Sequence, residues 1–267
     1  MKISCIPICF FRDIIQTRTM SVESWIEMAS ELGLDGIEMY KWYLTSWEDD
    51  YISGLSNAVH DAGLDVSMFT SYADFSNPDP DARAEQISSV RQAVDAARAF
   101  DTNIVRLTAG TWIDEISRDD ILSNIASGLR GCLDYAESHN VFLALEDHPE
   151  VGTKIADFMR VLELVDDDRL KVNLDTSNPM VSGDSSVELT ELVKDRVVHV
   201  HASDRGRDLE HTVEGEGLVD FPSIFASLKK AGFDGWISLE SGSDKGRKGI
   251  RQGMEYVKRV WNNSLLR

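Results

Sequence analysis

Positive charge is scarce in this 267-residue chain. Lys and Arg number 27 against 46 Asp and Glu, a formal net charge of −19. That balance disfavours nucleic-acid binding, which needs a basic face to neutralise phosphates. It points instead to a soluble acidic surface. Cysteine is as sparse: Cys5, Cys9 and Cys132 are an odd set without metal-ligand spacing. They read as buried thiols in a reducing compartment, so a cytoplasmic location is expected. No apolar run approaches the ~20 residues of a membrane helix, so no membrane partner is expected. The opening MKISCIPICFFRD has a lone Lys and no small-residue cleavage site, and reads as a first strand rather than a signal peptide. A low-complexity linker and a break in composition are both missing, so residues 1–267 are expected to form one domain.

What is present is a weak internal repeat. Glu31-Leu-Gly-Leu-Asp-Gly-Ile, Asp61-Ala-Gly-Leu-Asp-Val and Lys230-Ala-Gly-Phe-Asp-Gly-Trp-Ile share one layout. A helix ends at a Gly that tolerates the left-handed conformation, and an apolar residue, Asp and a strand follow. Strands are predicted near residues 3–8, 36–40, 65–70, 103–108, 141–146, 170–175, 196–201 and 235–240, with helical periodicity in every gap. Ser46–Asp49, Ser117–Asp120 and Ser185–Glu188 have the spacing of capping boxes. Asp79-Pro80 fits an N-cap followed by Pro at the first helical position. Eight strands alternating with eight helices give an α/β chain folded as a single (β/α)8 TIM barrel. The rival, a doubly wound sheet that binds a dinucleotide, lacks its Gly-rich fingerprint in the first βα turn.

Chemistry concentrates where these strands end. Val141–Leu145 is an apolar run that closes abruptly in Glu146-Asp147-His148 before Pro149. An ionisable group at the end of a buried strand is costly unless it is paired or binds a metal. The event recurs at Asp175, His201 and Glu240, on strands six, seven and eight. Consecutive strands of a barrel are neighbours, and barrel active sites lie at their C-terminal ends. Three carboxylates and one imidazole there suit a divalent ion. Their oxygen-rich set favours Mn²⁺ or Mg²⁺, and the imidazole admits Co²⁺ or Zn²⁺. Taken singly, any one of the four is more often a cap or a solvated residue; the repetition carries the reading. His199 shares the strand parity of His201 but lies deeper, and is expected as a barrel-interior histidine.

The stretches LALEDHP, VNLDTSNP, VVHVHASDRG, EGEGLVDF and GWISLES resemble the closing half of the sugar phosphate isomerase/epimerase-like group of the xylose-isomerase-like TIM barrels. That group holds ketose 3-epimerases, hydroxypyruvate isomerase and inosose dehydratase. The resemblance implies a metal held by Glu146, Asp175, His201 and Glu240. It also implies that Glu146 and Glu240 exchange a substrate proton through a metal-stabilised enediolate. The expected activity is a metal-dependent isomerase or epimerase on a small keto-sugar or related polyol. A dehydratase or lyase of the inosose or dehydroshikimate type is the alternative, because it begins with the same proton abstraction. Two features depart from the ketose 3-epimerases. Their His three residues past the ligand Asp is Asn178 here, and their second Glu, six residues past the first, is Gly152. Their sugar-gripping Arg has a counterpart in Arg207, with Arg205 close by. Barrels of this group are often dimers or tetramers, so a homo-oligomer is compatible.

Further candidates come from the residues themselves. His148, on the rim, can bind substrate or act as acid or base, or it can be a loop histidine bonded to a carbonyl. Trp112 can stack on a sugar face or plug the barrel mouth. Glu38 and Arg106 are expected to form an inward ion pair. Gly215-Glu216-Gly217 reads as either a lid segment or a plain turn. A DNA-repair barrel of the endonuclease IV type would need more than six histidines and a basic rim, and a barrel that only binds sugar would not need the complete ligand set.

Overall fold

The computed structural model describes residues 1–264. Eight parallel strands form a nearly closed barrel: β1 (Lys2–Ile6), β2 (Gly36–Tyr40), β3 (Asp65–Thr70), β4 (Ile104–Leu107), β5 (Phe142–Glu146), β6 (Leu170–Asp175), β7 (Val197–Ala202) and β8 (Trp236–Glu240). Each predicted strand is present within about two residues. β1 stops at Ile6 because Pro7 has no N–H for the ladder. The hydrogen-bonded order runs β1-β8-β7-β6-β5-β4-β3-β2. The β1–β2 seam is closed by Asp35, whose backbone N–H donates to the Ile3 carbonyl (2.9 Å) and whose carboxylate accepts from the Ile3 N–H (2.8 Å).

Helices α1 (Val22–Leu32), α2 (Asp49–Asp61), α3 (Pro80–Ala99), α4 (Arg118–Ser138), α5 (Ile155–Val165), α6 (Ser186–Val193), α7 (Phe221–Lys230) and α8 (Gly246–Asn263) follow the strands in turn. A one-turn helix, Asn178–Val181, precedes α6. The repeated Gly residues do what the repeat implied: Gly33, Gly63 and Gly232 sit at φ of 77°, 75° and 82°. Ser117 and Ser185 accept from the backbone N–H groups of Asp120 and Glu188, and Asp79 caps α3 ahead of Pro80. Ser46 does not cap α2. α2 begins at Asp49 with Glu48 in the N-cap position, and Ser46 instead accepts from the Glu48 N–H at 3.1 Å. No helix among the described residues is long and apolar enough to cross a membrane.

Two hydrophobic clusters divide the labour. The main one lies between strands and helices and includes Trp25, Phe69, Phe158 and Phe225. A small one, Met68, Ile104 and Ala144, shares the strand parity of the inward residues and plugs the barrel floor. Above it the interior turns polar: Glu38, Arg106, Asn173 and His199 are all buried there.

The segment after β7 is built around Asp204. Its carboxylate accepts from the backbone N–H groups of Arg205 (2.9 Å), Gly215 (2.8 Å), Gly217 (3.0 Å) and Val219 (3.1 Å). Gly215-Glu216-Gly217 is therefore a pinned turn, with Gly215 at φ 92°. Glu214, just before it, is buried with both carboxylate oxygens unpartnered. It lies against α8 at Gly253, where a Cβ would collide with the carboxyl group. Burial, with Asp204 as a lesser contributor, pushes the Glu214 pKa up to about 8 from an ordinary 4.5.

A folded pKa above the unfolded one means that the stability contributed is complete below about pH 4.5 and is lost as pH rises through about 8. Glu214→Gln removes that loss. The variant is expected to be more stable than the parent at pH 8 by roughly 1–3 kcal/mol and to gain nothing at pH 4. Thermal melts at the two pH values check it; an equal shift at both would refute it.

Candidate active site and metal centre

Strand parity brings the expected side chains to one place. Ligand atoms of Glu146, Asp175 and His201 lie within 4.8 Å of one another. Glu240 joins from β8, its Oε1 4.0 Å from His201 Nδ1. His201 Nδ1 is 2.5 Å from Glu146 Oε1, while its Nε2 is 3.0 Å from Glu38 Oε1 on the far side of the ring. Asp175 Oδ1 accepts from the backbone N–H groups of Ser177 and Asn178, both at 2.7 Å, and from Ser203 Oγ at 2.8 Å. Asp147, next to Glu146, braces the site from outside by accepting from the Asp175 N–H at 2.7 Å.

The expected Glu38–Arg106 pair is not formed. Both side chains are buried inside the barrel, but Arg106 donates from Nε (2.8 Å) and Nη2 to Glu146 Oε2. Glu38 pairs with His201 and accepts from Thr70 Oγ1 at 2.5 Å. Register explains the exchange. Arg106 stands beside Ala144 on the adjacent strand, and that small side chain leaves room for the guanidinium to reach Glu146 one step higher. Glu38 stands beside Met68, with Thr70 one step above. His199 is an interior histidine, as expected, bonded through Nδ1 to Asn173 Oδ1 (2.8 Å).

Electrostatics separate the two glutamates. Burial alone would raise the Glu146 pKa, but the Arg106 guanidinium and then His201 hold it well below the usual range. Burial and the neighbouring Asp175 push Glu240 well above it. Burial would also strip the His201 proton, yet Glu38 and Glu146 together raise its pKa strongly. Asp147 is raised by burial and by Asp175, and its Oδ2 has no partner. Four buried carboxylates, Glu38, Glu146, Asp147 and Asp175, with the slightly exposed Glu240, thus have only Arg106 and His201 as directly paired cations. That surplus fits a divalent cation held by oxygen atoms of Glu146, Asp175 and Glu240 and by His201 Nδ1. The Glu38 carboxylate would keep the Nε2–H tautomer that frees Nδ1 for the ion.

At this cluster lies a cavity of about 150 Å³ lined in part by Tyr40, Tyr72, His148, Asn178, Arg205, His211 and Glu240. Phe11 stacks on Tyr40 (5.1 Å between centroids), and Tyr40 meets Tyr72 (6.0 Å), giving one aromatic wall. A neighbouring cavity of about 290 Å³ shares Tyr72, His148 and Pro149. His148 Nε2 is 3.4 Å from the Tyr72 hydroxyl. Burial and then Arg106 lower its pKa to about 4, so its imidazole is neutral near pH 7. Sequence reasoning missed Tyr40, Tyr72 and Phe11, whose only signal was their place on or just past strand ends.

Other expected residues divide. Arg205 and Asn178 line the cavity, whereas Arg207 is exposed on the turn beyond it. Trp112 packs its ring on the Arg118 guanidinium (4.1 Å), which in turn pairs with Asp157, so the loop after β4 carries it to α5 and out of the cavity lining. Gly152 is where it is because nothing larger fits. A Cβ there would lie 2.7 Å from the His148 carbonyl and 2.8 Å from its nitrogen.

A family model described as xylose isomerase-like TIM barrel matches residues 26–260. An inosose dehydratase from Lacticaseibacillus casei is 27% identical over 145 residues, 47% of this chain and 49% of that one. An uncharacterized protein from Methanocaldococcus jannaschii is 27% identical over 186 residues, 64% of this chain and 63% of that one. In both cases the chain spans less than two thirds of the relative's length. An L-ribulose-5-phosphate 3-epimerase from Salmonella paratyphi C is 25% identical over 239 residues, 83% of this chain and 84% of that one. Among solved structures, the IolI protein with a bound zinc atom superposes with a TM-score of 0.82 at 17% identity, covering 99% of each chain.

Glu38→Gln is expected to weaken divalent-ion binding about 10–100-fold while the barrel stays folded. Calorimetric titration with Mn²⁺, alongside circular dichroism, measures it. Unchanged affinity would mean that Glu38 does not set the His201 tautomer.

Proposed function

Because the chain belongs to the xylose isomerase-like TIM barrel family, we propose that it is a divalent-metal-dependent isomerase or epimerase of a small keto-sugar or related polyol. The observation that carries this reading is the convergence of Glu146, Asp175, His201 and Glu240 at the rim beneath a small aromatic-walled cavity. Mn²⁺ or Mg²⁺ suits the oxygen-rich donor set, with Co²⁺ or Zn²⁺ admitted by the imidazole. Such an ion would supply Lewis acidity to a carbonyl oxygen and its neighbouring hydroxyl.

The chain's own residues divide the proton work. Arg106 keeps Glu146 ionised, which suits it to accept the proton next to the carbonyl. Burial and Asp175 push the Glu240 pKa up when no cation is bound; an ion at its oxygen would favour the carboxylate, so Glu240 would exchange the proton as a second carboxylate beside Glu146. Tyr40 and Tyr72 shield the site from water on one side, and Asn178 and Arg205 offer hydrogen bonds to substrate oxygens.

A dehydratase is the second reading, favoured by His148. As a neutral imidazole beside Tyr72, it is a proton acceptor rather than a standing acid. In an elimination it would take the carbon-bound proton and return it to the departing hydroxyl, which leaves as water. The inosose dehydratase and the 3-epimerase among the relatives are consistent with both readings.

Incubating the Mn²⁺-loaded protein with keto-sugars and inososes in D₂O separates them. Deuterium retained in a sugar supports isomerisation or epimerisation, and loss of water supports dehydration. Glu146→Gln and Glu240→Gln are each expected to reduce exchange by about 10²–10⁴-fold. Full exchange in either variant would sink the two-glutamate assignment.

A further inference from the structure

Arg205 differs from the other guanidinium in the site. Arg106 is committed to the Glu146 carboxylate. Half-buried Arg205 donates Nε to Ser177 Oγ (3.2 Å), Nη1 to the Leu209 carbonyl (2.8 Å) and Nη2 to Asn178 Oδ1 (3.3 Å). All three acceptors are neutral, and no carboxylate pairs with this guanidinium among the described residues. A guanidinium has five N–H donors. Those three bonds leave one free on each terminal nitrogen, the two-point fork that matches a carboxylate.

Its orientation is tied to the ligand cluster. Ser177 Oγ, which receives the Arg205 Nε bond, is 2.6 Å from Ser203 Oγ, and Ser203 Oγ donates to Asp175. The Arg205 backbone is fixed through the Asp204 carboxylate. The head group therefore stands at a set distance from the rim ligands, on the wall of the same cavity as Glu240 and His211. On a protein of net charge −19, nothing on the overall surface balance draws in an anion. A guanidinium on the cavity wall with no direct carboxylate partner is then a selective feature.

Taking the proposed reaction as its basis, we infer that the substrate is a carboxylate-bearing keto-polyol, its carboxylate held by Arg205 and its reacting end turned toward Glu146 and Glu240. A neutral sugar would leave the guanidinium charge unmatched. The same fork can grip a phosphate ester, but the cavity of about 150 Å³ favours the smaller carboxylate. Asn178 contributes by holding the fork in place, and Arg207, outside the cavity, takes no part.

The test is binding, independent of turnover. Calorimetry on the Mn²⁺-loaded full chain would compare D-gluconate, neutral D-sorbitol and D-sorbitol 6-phosphate. Gluconate is expected to bind at least about tenfold more tightly than sorbitol. Arg205→Met should abolish the preference, and Arg205→Lys, which keeps the charge without the fork, should retain part of it; melts confirm that both variants fold. Equal affinity for gluconate and sorbitol, or a preference that survives Arg205→Met, overturns the inference, since the latter would place the carboxylate on the ion. Tighter binding of the phosphate ester overturns the carboxylate assignment. An intact, Arg205-dependent preference in a protein that exchanges no proton with any compound would instead refute the proposed reaction and leave the anion site standing.

Discussion

Charge neutrality inside the barrel is the constraint on which the site depends. Taking an isolated carboxylate out of water costs several kcal/mol even after relaxation. This interior nonetheless buries Glu38, Glu146, Asp147 and Asp175 together with Arg106 and His201. Three of the acids have a separate answer, while Asp147, with one oxygen unpartnered, is pushed toward its neutral form. Glu146 is matched by Arg106, Glu38 by His201, and Asp175 by two backbone N–H groups and Ser203. What remains, centred on Glu240 and the Nδ1 edge of His201, is a place where a cation relieves the balance.

Much of this was legible from the strand ends. A period of two fixes which side chains enter the barrel, and an acid closing an apolar run is visible without any structure. Glu146, Asp175, His201 and Glu240 met because their strands are consecutive and the barrel is nearly closed. Partnership was less legible. Parity placed Glu38 and Arg106 inside but said nothing of register. Across one ladder step, a small residue at 144 decides that Arg106 reaches Glu146. The aromatic wall was hidden for a related reason. Tyr72 lies in a loop and Phe11 heads a short π-helical turn (Arg12–Gln16), and neither segment has a periodicity that gives direction. Trp112 lay in such a segment too, and Arg118 drew it elsewhere.

The rim also shows how one scaffold accommodates different reactions. Glu146, Asp175, His201 and Glu240 hang from strands, whereas His148, Asn178, Arg205 and His211 hang from the segments after them. Strand ends are fixed by the ladder. Loop residues are fixed by local devices such as the Asp204 carboxylate gathering four amides. Proton abstraction can then stay constant while the groups that meet the rest of the substrate vary.

Gly152 carries this thought further. The chain after β5 folds so tightly over His148 that even one added carbon would strike its backbone. A carboxylate at this position is thus not one codon away. It would require a longer or re-routed loop, and that loop would displace the imidazole beside it. The imidazole of His148 and a carboxylate at position 152 are in that sense alternatives, because the tight turn that presents one leaves no room for the other.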